Sequence, residues 1–425
     1  MKSPAPPSED IDLGETIAAP LPDVQFSETI AGGTLAGGSL AGAASPRDSV
    51  LPRMELRGER VQLSPAGGPR YAALRALGRG GMGEVALVED RDIGRQVAVK
   101  RLLPEAENAG VVARFVDEVR TIGRLEHPNI VPIHDVGVDA EGRYFFVMKY
   151  VDGETLETII ERLRRGEPEA VRQYDVPRRV EIFEGLVRAL AFAHAAGYLH
   201  RDIKPANVMV GRYGEVVLMD WGVACPRAGD RHAPESPAPD ATLDLSARLS
   251  STQAGALVGT PHYMSPEQAR GETASLDERS DLFSACVLFH ELLGLRHRHA
   301  DHKSLMAVLV AVNTGEAPSH GAMFAPHASQ PDGVPAAFIH FLHRGLQREP
   351  DKRWQSAAEM LDELHAIASG ECRVQCPVTF SARALTVMQR FLDRRQLFGA
   401  IGLNLAVVGI LILAADTVRR WFFGD

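Results

Sequence analysis

His200-Arg201-Asp202-Ile203-Lys204-Pro205-Ala206-Asn207 decides how this 425-residue chain is read. Acid, base, two cations and an amide are held at fixed spacing in eight positions, which suits a loop that does proton and charge chemistry. A helix is predicted before it over 178–196, and a strand after it over 216–219. That strand runs into Asp220-Trp221-Gly222, a second acid close to the first. Far upstream, Gly78-Arg79-Gly80-Gly81-Met82-Gly83-Glu84-Val85 falls between strands predicted over 70–77 and 85–89. Its glycines let a backbone approach phosphates closely. A strand follows it, where a dinucleotide fingerprint would need a helix. The next strand, 96–101, ends in Val97-Ala98-Val99-Lys100. Lys100 either marks a strand edge reaching solvent or places an ammonium under the glycine loop. Of 46 basic residues only six are lysine, and Lys100 and Lys204 are two of them. A compact ammonium differs from a guanidinium in how it meets phosphate. An acidic partner for Lys100 is offered by Glu118, on a helix predicted over 112–123. Spacing alone does not separate Glu118 from its neighbour Asp117.

The order of glycine loop, lysine, helix glutamate and His-Arg-Asp loop resembles the protein kinase superfamily over about residues 71–367. The wording is closest to bacterial Ser/Thr kinases with a membrane helix, on Val147-Met148-Lys149-Tyr150-Val151-Asp152-Gly153 and Met264-Ser265-Pro266-Glu267-Gln268. The resemblance implies an α+β, two-lobed protein kinase fold, with a β-rich N-lobe (about 71–150) and an α-helical C-lobe (about 151–367). It implies ATP as the phosphoryl donor and Mg2+, or alternatively Mn2+, as the metal. The ATP surface would be Gly78, Arg79, Gly80, Gly81, Met82, Gly83, Val85, Ala98 and Lys100, with Met148 as gatekeeper and Tyr150 and Val151 in the hinge. Asp202 would be the catalytic base, Lys204 would steady the phosphoryl group, and Glu118 would position Lys100. Asn207 and Asp220 would hold the metal. Trp221 stands where the family has phenylalanine, which bears on the regulation of this loop more than on its chemistry. Residues 220–267 would be the activation segment, with Thr260 bonded to Asp202 and Glu267 paired with Arg353. Asp281 would anchor the His-Arg-Asp backbone. Thr252, with Ser250 and Ser251, is either a phosphorylation site whose phosphate pairs with Arg201 or one of several hydroxyls solvating a loop.

Composition sets the frame. Apolar residues are 45% and charged residues 24%, a globular balance. A net charge of -9 argues against nucleic acid as a partner. Four cysteines are too few for a disulfide scaffold. The expected organisation is a disordered Gly/Ala/Pro-rich segment (1–66), a catalytic domain (67–370), a juxtamembrane linker (371–395), a transmembrane helix (396–415) and a short tail (416–425). The run 396–415 carries no charge and is about 30 Å long as a helix. A buried or oligomerisation helix is its alternative. With no signal peptide at the N-terminus, the expectation is a single-pass protein of the inner (cytoplasmic) membrane, catalytic domain in the cytoplasm. The imperfect repeat at Thr16, Thr29, Thr34 and Ser39 reads as linker drift or as phosphoacceptors for a phosphothreonine-binding partner.

Three further stretches are expected to be structural. The charged insert 162–179 reads as a solvated helical excursion. His297, His299 and His302 read as a solvated loop. Cys372 and Cys376 do not make a zinc site. The expected activity is phosphorylation of protein substrates and of the chain itself, with dimerisation as one input. The rivals are a pseudokinase or scaffold that binds without transfer, and a small-molecule phosphotransferase.

Overall fold

A computed structural model describes residues 53–57, 60–64, 69–80, 83–104, 109–222, 224–226, 260–272, 275–302, 304–314, 327–330, 333–371 and 376–394. Gly81, Met82, Thr252, most of the activation segment, the 16–39 repeat, Cys372 and the 396–415 run lie outside the described residues. Among the described residues no helix is long and apolar enough to cross a membrane.

The first lobe is a five-stranded antiparallel sheet in the order β3-β4-β5-β7-β6. Its strands are β3 (Tyr71–Arg79), β4 (Gly83–Asp90), β5 (Arg95–Leu102), β6 (Ile133–Val138) and β7 (Tyr144–Lys149). Val99 pairs with Val147, Lys100 with Phe146 and Ala98 with Met148. Side chains alternate along a strand. Val97, Val99, Phe145 and Val147 therefore pack on one face with Val88. Leu102 and Phe146 pack on the other with Val111 and Phe115 of α1 (Ala109–Arg124). Lys100 is on this second face, under the helix. Val111, Phe115, Glu118 and Ile122 recur at helical spacing and are all buried. This stripe separates Glu118 from Asp117, which is only half-buried.

The second lobe is helical. It comprises α2 (Leu156–Arg164), α3 (Pro168–Gln173), α4 (Val176–Ala195), α5 (Pro266–Ala269), α6 (Glu278–Gly294), α7 (Leu305–Thr314), α8 (Ala336–Gly345) and α9 (Ala357–Ala368). At its centre Phe183 of α4 stacks on Phe289 of α6 at 3.9 Å, and Phe341 of α8 meets both edge-on. Beside this core lies a small sheet of β8 (Gly153–Thr155), β10 (Val208–Gly211) and β11 (Val216–Leu218), in the order β11-β10-β8. A two-residue pairing joins β9 (Tyr198–Leu199) to β12 (Cys225–Pro226). Loop 200–207 is held between β9 and β10.

Four expectations change. Within 1–66, β1 (Arg53–Arg57) and β2 (Arg60–Ser64) form an antiparallel hairpin. Its register pairs Met54 with Leu63 and Leu56 with Val61, so an alternating pattern is present that the bulk composition hid. The linker 371–395 contains an 18-residue helix, α10 (Pro377–Arg394). The insert 162–179 is not merely solvated. Ala170, Tyr174 and Arg179 are buried, and Arg179 Nε donates to the Tyr174 carbonyl at 2.7 Å. The histidines are also packed: His299 is buried, and His297 lies 5.2 Å from His262 and 5.0 Å from Tyr263. Burial, with neighbouring imidazoles, holds His297 neutral, its pKa pushed down to about 2. His302 alone of the three is exposed.

Candidate active site

Lys100 is placed by β5 and met by α1. Its Nζ donates to Glu118 Oε1 at 2.6 Å and lies 3.6 Å from Asp220 Oδ1. Burial works against the ammonium, but the two carboxylates outweigh it and hold the Lys100 pKa above the ordinary lysine value. The glycine loop closes over the same strand: Gly80 N donates to the Gly83 carbonyl at 2.8 Å. A Cβ on Gly83 would stand 2.6 Å from the Arg101 carbonyl oxygen, so only glycine fits there. Val85 pairs in register with Lys100, and Ala98 with Met148. Tyr150 Oη accepts from Arg75 at 3.1 Å, and Val151 is buried at the start of the helical lobe.

The 200–207 loop is held by one buried acid. Asp281, on α6, accepts from the backbone N–H of His200 and of Arg201, both at 2.8 Å, and meets His194 Nε2 at 2.9 Å. These bonds fix Arg201 in a left-handed conformation, φ 65°. Asp202 N donates to His200 Nδ1 at 3.2 Å, so the ring proton is on Nε2, which donates to the Met219 carbonyl at 3.0 Å. Met219 N in turn donates to the Asn207 carbonyl at 2.9 Å. This pair of bonds ties Asp220 to the loop. Within the loop, Lys204 Nζ donates to Asp202 Oδ2 at 2.7 Å. Asn207 Nδ2 donates to the Asp202 carbonyl at 2.9 Å and to its Oδ2 at 3.2 Å.

The donor chemistry suits a hard divalent cation. With its amide N–H groups turned to Asp202, Asn207 has its carbonyl oxygen to offer. Partial loss of solvent would raise the Asp220 carboxyl, but Lys100 and Lys204 outweigh it and hold it below the usual carboxylate range. Asp220 also takes a left-handed φ of 61°, which turns it out of the β11 line. Among the described residues no three His, Cys, Asp or Glu side chains converge as a metal site of their own. Two oxygen donors are what a cation shared with a polyphosphate requires.

Trp221 is buried, with its ring 4.6 Å from His200 in an edge contact. Among the described residues its Nε1 has no hydrogen-bond partner. Glu267 and Arg353 form a buried pair at 2.7 and 3.0 Å. Thr260 opens a short 3-10 turn to Tyr263, and the placement of its side chain lies outside what is described.

Four contacts here are not assigned by the sequence. Gln268 Nε2 donates to the Arg201 carbonyl at 2.9 Å. Ser280 Oγ donates to Glu267 at 2.6 Å. Tyr263 and Arg164 both bond Glu291, joining the end of the activation segment to α2 and α6. Each joins residues far apart in sequence with no spacing rule to betray them.

Asp281 accepts charge-assisted bonds from a left-handed turn. Asp281→Asn would replace one acceptor by an amide N–H facing a backbone N–H. Expected is a loss of at least about 2 kcal/mol, read as a lower midpoint in urea unfolding. An unchanged midpoint would show that the loop holds its turn without this anchor.

A cation anchored between a strand and a helix, facing an acid–lysine–amide loop, defines a phosphoryl-transfer site. The protein kinase domain model matches residues 71–365, and the chain belongs to that family. It is 38% identical over 309 residues to a probable serine/threonine-protein kinase of Streptomyces coelicolor, covering 72% of this chain and 41% of that one. It is 34% identical over 339 residues to the probable serine/threonine-protein kinase PknB of Bifidobacterium longum, covering 77% and 43%. Against the serine/threonine-protein kinase PknB of Mycobacterium tuberculosis it is 34% identical over 307 residues, covering 71% and 43%. The chain thus spans less than half the length of these relatives.

Proposed function

We propose that the chain is an ATP-dependent serine/threonine protein kinase. The observation that carries this reading is the tie between the two halves of the site, Lys100–Glu118–Asp220 on one side and Asp202–Lys204–Asn207 on the other. In this reading Lys100, kept cationic and aimed by Glu118, holds α- and β-phosphate oxygens. Asp202 orients the substrate hydroxyl and accepts its proton as the oxygen attacks the γ-phosphorus. The bond to the bridging oxygen breaks, and Lys204, 2.7 Å from Asp202, offsets charge on the moving group. Asp220 and Asn207 would hold the divalent cation, magnesium or manganese, which neutralises polyphosphate charge when bound. Lysine at 204 and the similarity to bacterial serine/threonine-protein kinases support serine and threonine as acceptors.

The finer reading places the chain in the cytoplasmic membrane through 396–415, with the catalytic domain in the cytoplasm. Protein substrates, the chain's own Thr252 and the N-terminal threonines would be acceptors, with self-phosphorylation between two copies and docking of phosphothreonine-binding partners. The full chain with γ-labelled ATP and magnesium is expected to yield phosphothreonine and phosphoserine. Nucleotide binding with no label transferred would favour the scaffold reading, and phosphotyrosine would contradict the assignment of Lys204.

A further inference from the structure

Helix α10 is amphipathic, and the described side chains of its apolar half are exposed. Side chains step by about 100° around an α-helix. On that wheel Val378, Phe380, Ala384, Leu385, Val387, Met388, Phe391 and Leu392 fill one half, interrupted only by Ser381. The opposite half carries Thr379, Arg383, Thr386, Gln389, Arg390, Asp393 and Arg394. Thr379, on the polar half, is buried at the start of the helix. Val378, Phe380, Leu385, Val387 and Met388 are each more than half exposed. The helix is thus attached by its first turn, and these five apolar side chains face away from the domain.

We propose that α10 lies in the surface of an anionic lipid bilayer, with its apolar half among the acyl chains and its arginines at the headgroups. Three observations select this occupant. The apolar arc covers about half the circumference, wider than the a/d seam that a coiled-coil partner requires. Three arginines against one aspartate give the polar half a net positive charge, complementary to anionic lipid. The uncharged run 396–415 begins two residues after the helix, so a crossing there would bring α10 to the headgroups with almost no slack. The third observation rests on reading 396–415 as that crossing, and the test separates the two.

The full chain is reconstituted in phosphatidylglycerol–phosphatidylcholine vesicles carrying a lipid with a photoreactive acyl chain, irradiated and digested with trypsin. Cleavage at the arginines isolates 384–390 from 396–419. Expected is lipid on both peptides, and a drop of about fivefold or more on 384–390 alone in Val387→Glu/Met388→Glu, which alters exposed positions only. Lipid on 396–419 with none on 384–390 would overturn the proposal and keep the membrane anchor. Lipid on 384–390 without 396–419 would keep the proposal and remove the anchor. Crosslinks joining 384–390 of two copies, with no lipid on it, would show that the face pairs with itself and would also overturn it.

Discussion

Asp202→Asn is expected to slow phosphoryl transfer by about 10²- to 10⁴-fold, while nucleotide affinity stays within about twofold. The substitution keeps size and shape. The amide oxygen still accepts from Lys204, which lies 2.7 Å from the carboxylate in the native protein. What is lost is the ability to take a proton from an attacking hydroxyl, and that loss is felt in the transition state and not in the bound ground state. Single-turnover transfer from labelled ATP in the full chain measures the first quantity, and equilibrium binding of a non-hydrolysable nucleotide the second. Lys100→Met is the contrast. It leaves Glu118 and Asp220 facing each other without their cation, so nucleotide affinity should fall with the rate. If Asp202→Asn transfers as fast as the native chain, another group is the base and the reading of the 200–207 loop is wrong. If affinity collapses together with rate, Asp202 acts on binding instead.

How much of this site was legible depends on whether a residue announces itself locally. Loop 200–207 did, because its residues act within eight positions and bond mostly to one another. Lys100 did through a strand pattern and its rarity in an arginine-rich chain. Glu118 was half legible. Adjacency left Asp117 open, yet the Val111–Phe115–Ile122 stripe, visible in sequence as a 3.6-residue period, singles out Glu118. Gln268, Ser280 and Glu291 were not legible as partners, since each bonds across the fold to a group that sequence does not place. The charged insert 162–179 misled for a related reason. Charge suggested solvent, but Arg179 reaches through the surface to backbone carbonyls, as a long apolar stem with a polar tip can. The histidines near 297 misled likewise, since a neutral imidazole packs edge-on against other rings once burial has removed its charge. The hairpin at 53–64 was hidden because average composition over 66 residues drowned a ten-residue alternation.

Arg353→Ala should cost about 3–5 kcal/mol of unfolding free energy at neutral pH, a large part of what a domain has. Arg353 and Glu267 are both almost fully buried. All five guanidinium N–H groups are in use: two on the Glu267 carboxylate, the others on the carbonyls of Gln347, Arg348 and Arg279. The guanidinium also lies over the Phe283 ring at 4.7 Å. Among the described residues truncation leaves Glu267 with Ser280 as its remaining side-chain partner, and it takes one donor from each of three carbonyls. Burial alone would raise the Glu267 carboxyl, but Arg353 and Ser280 outweigh it and hold it below the usual glutamate value. A lowered folded pKa means that this stabilisation is fully present above the unfolded glutamate pKa and is lost as pH falls through the folded one. In the variant the sign reverses, because burial without the cation favours the protonated acid. The gap between native and variant, read from urea unfolding, should therefore be widest near pH 7 and close as pH falls below about 4.5. Arg353→Met with Glu267→Leu should cost less than Arg353→Ala alone, since no buried charge is left. A gap under about 1 kcal/mol at neutral pH, or one that does not narrow on acidification, would show that water replaces the guanidinium and that the pair does not hold this region. Transfer should fall as well, because Glu267 is next to Gln268, and Gln268 holds the Arg201 carbonyl one residue before Asp202.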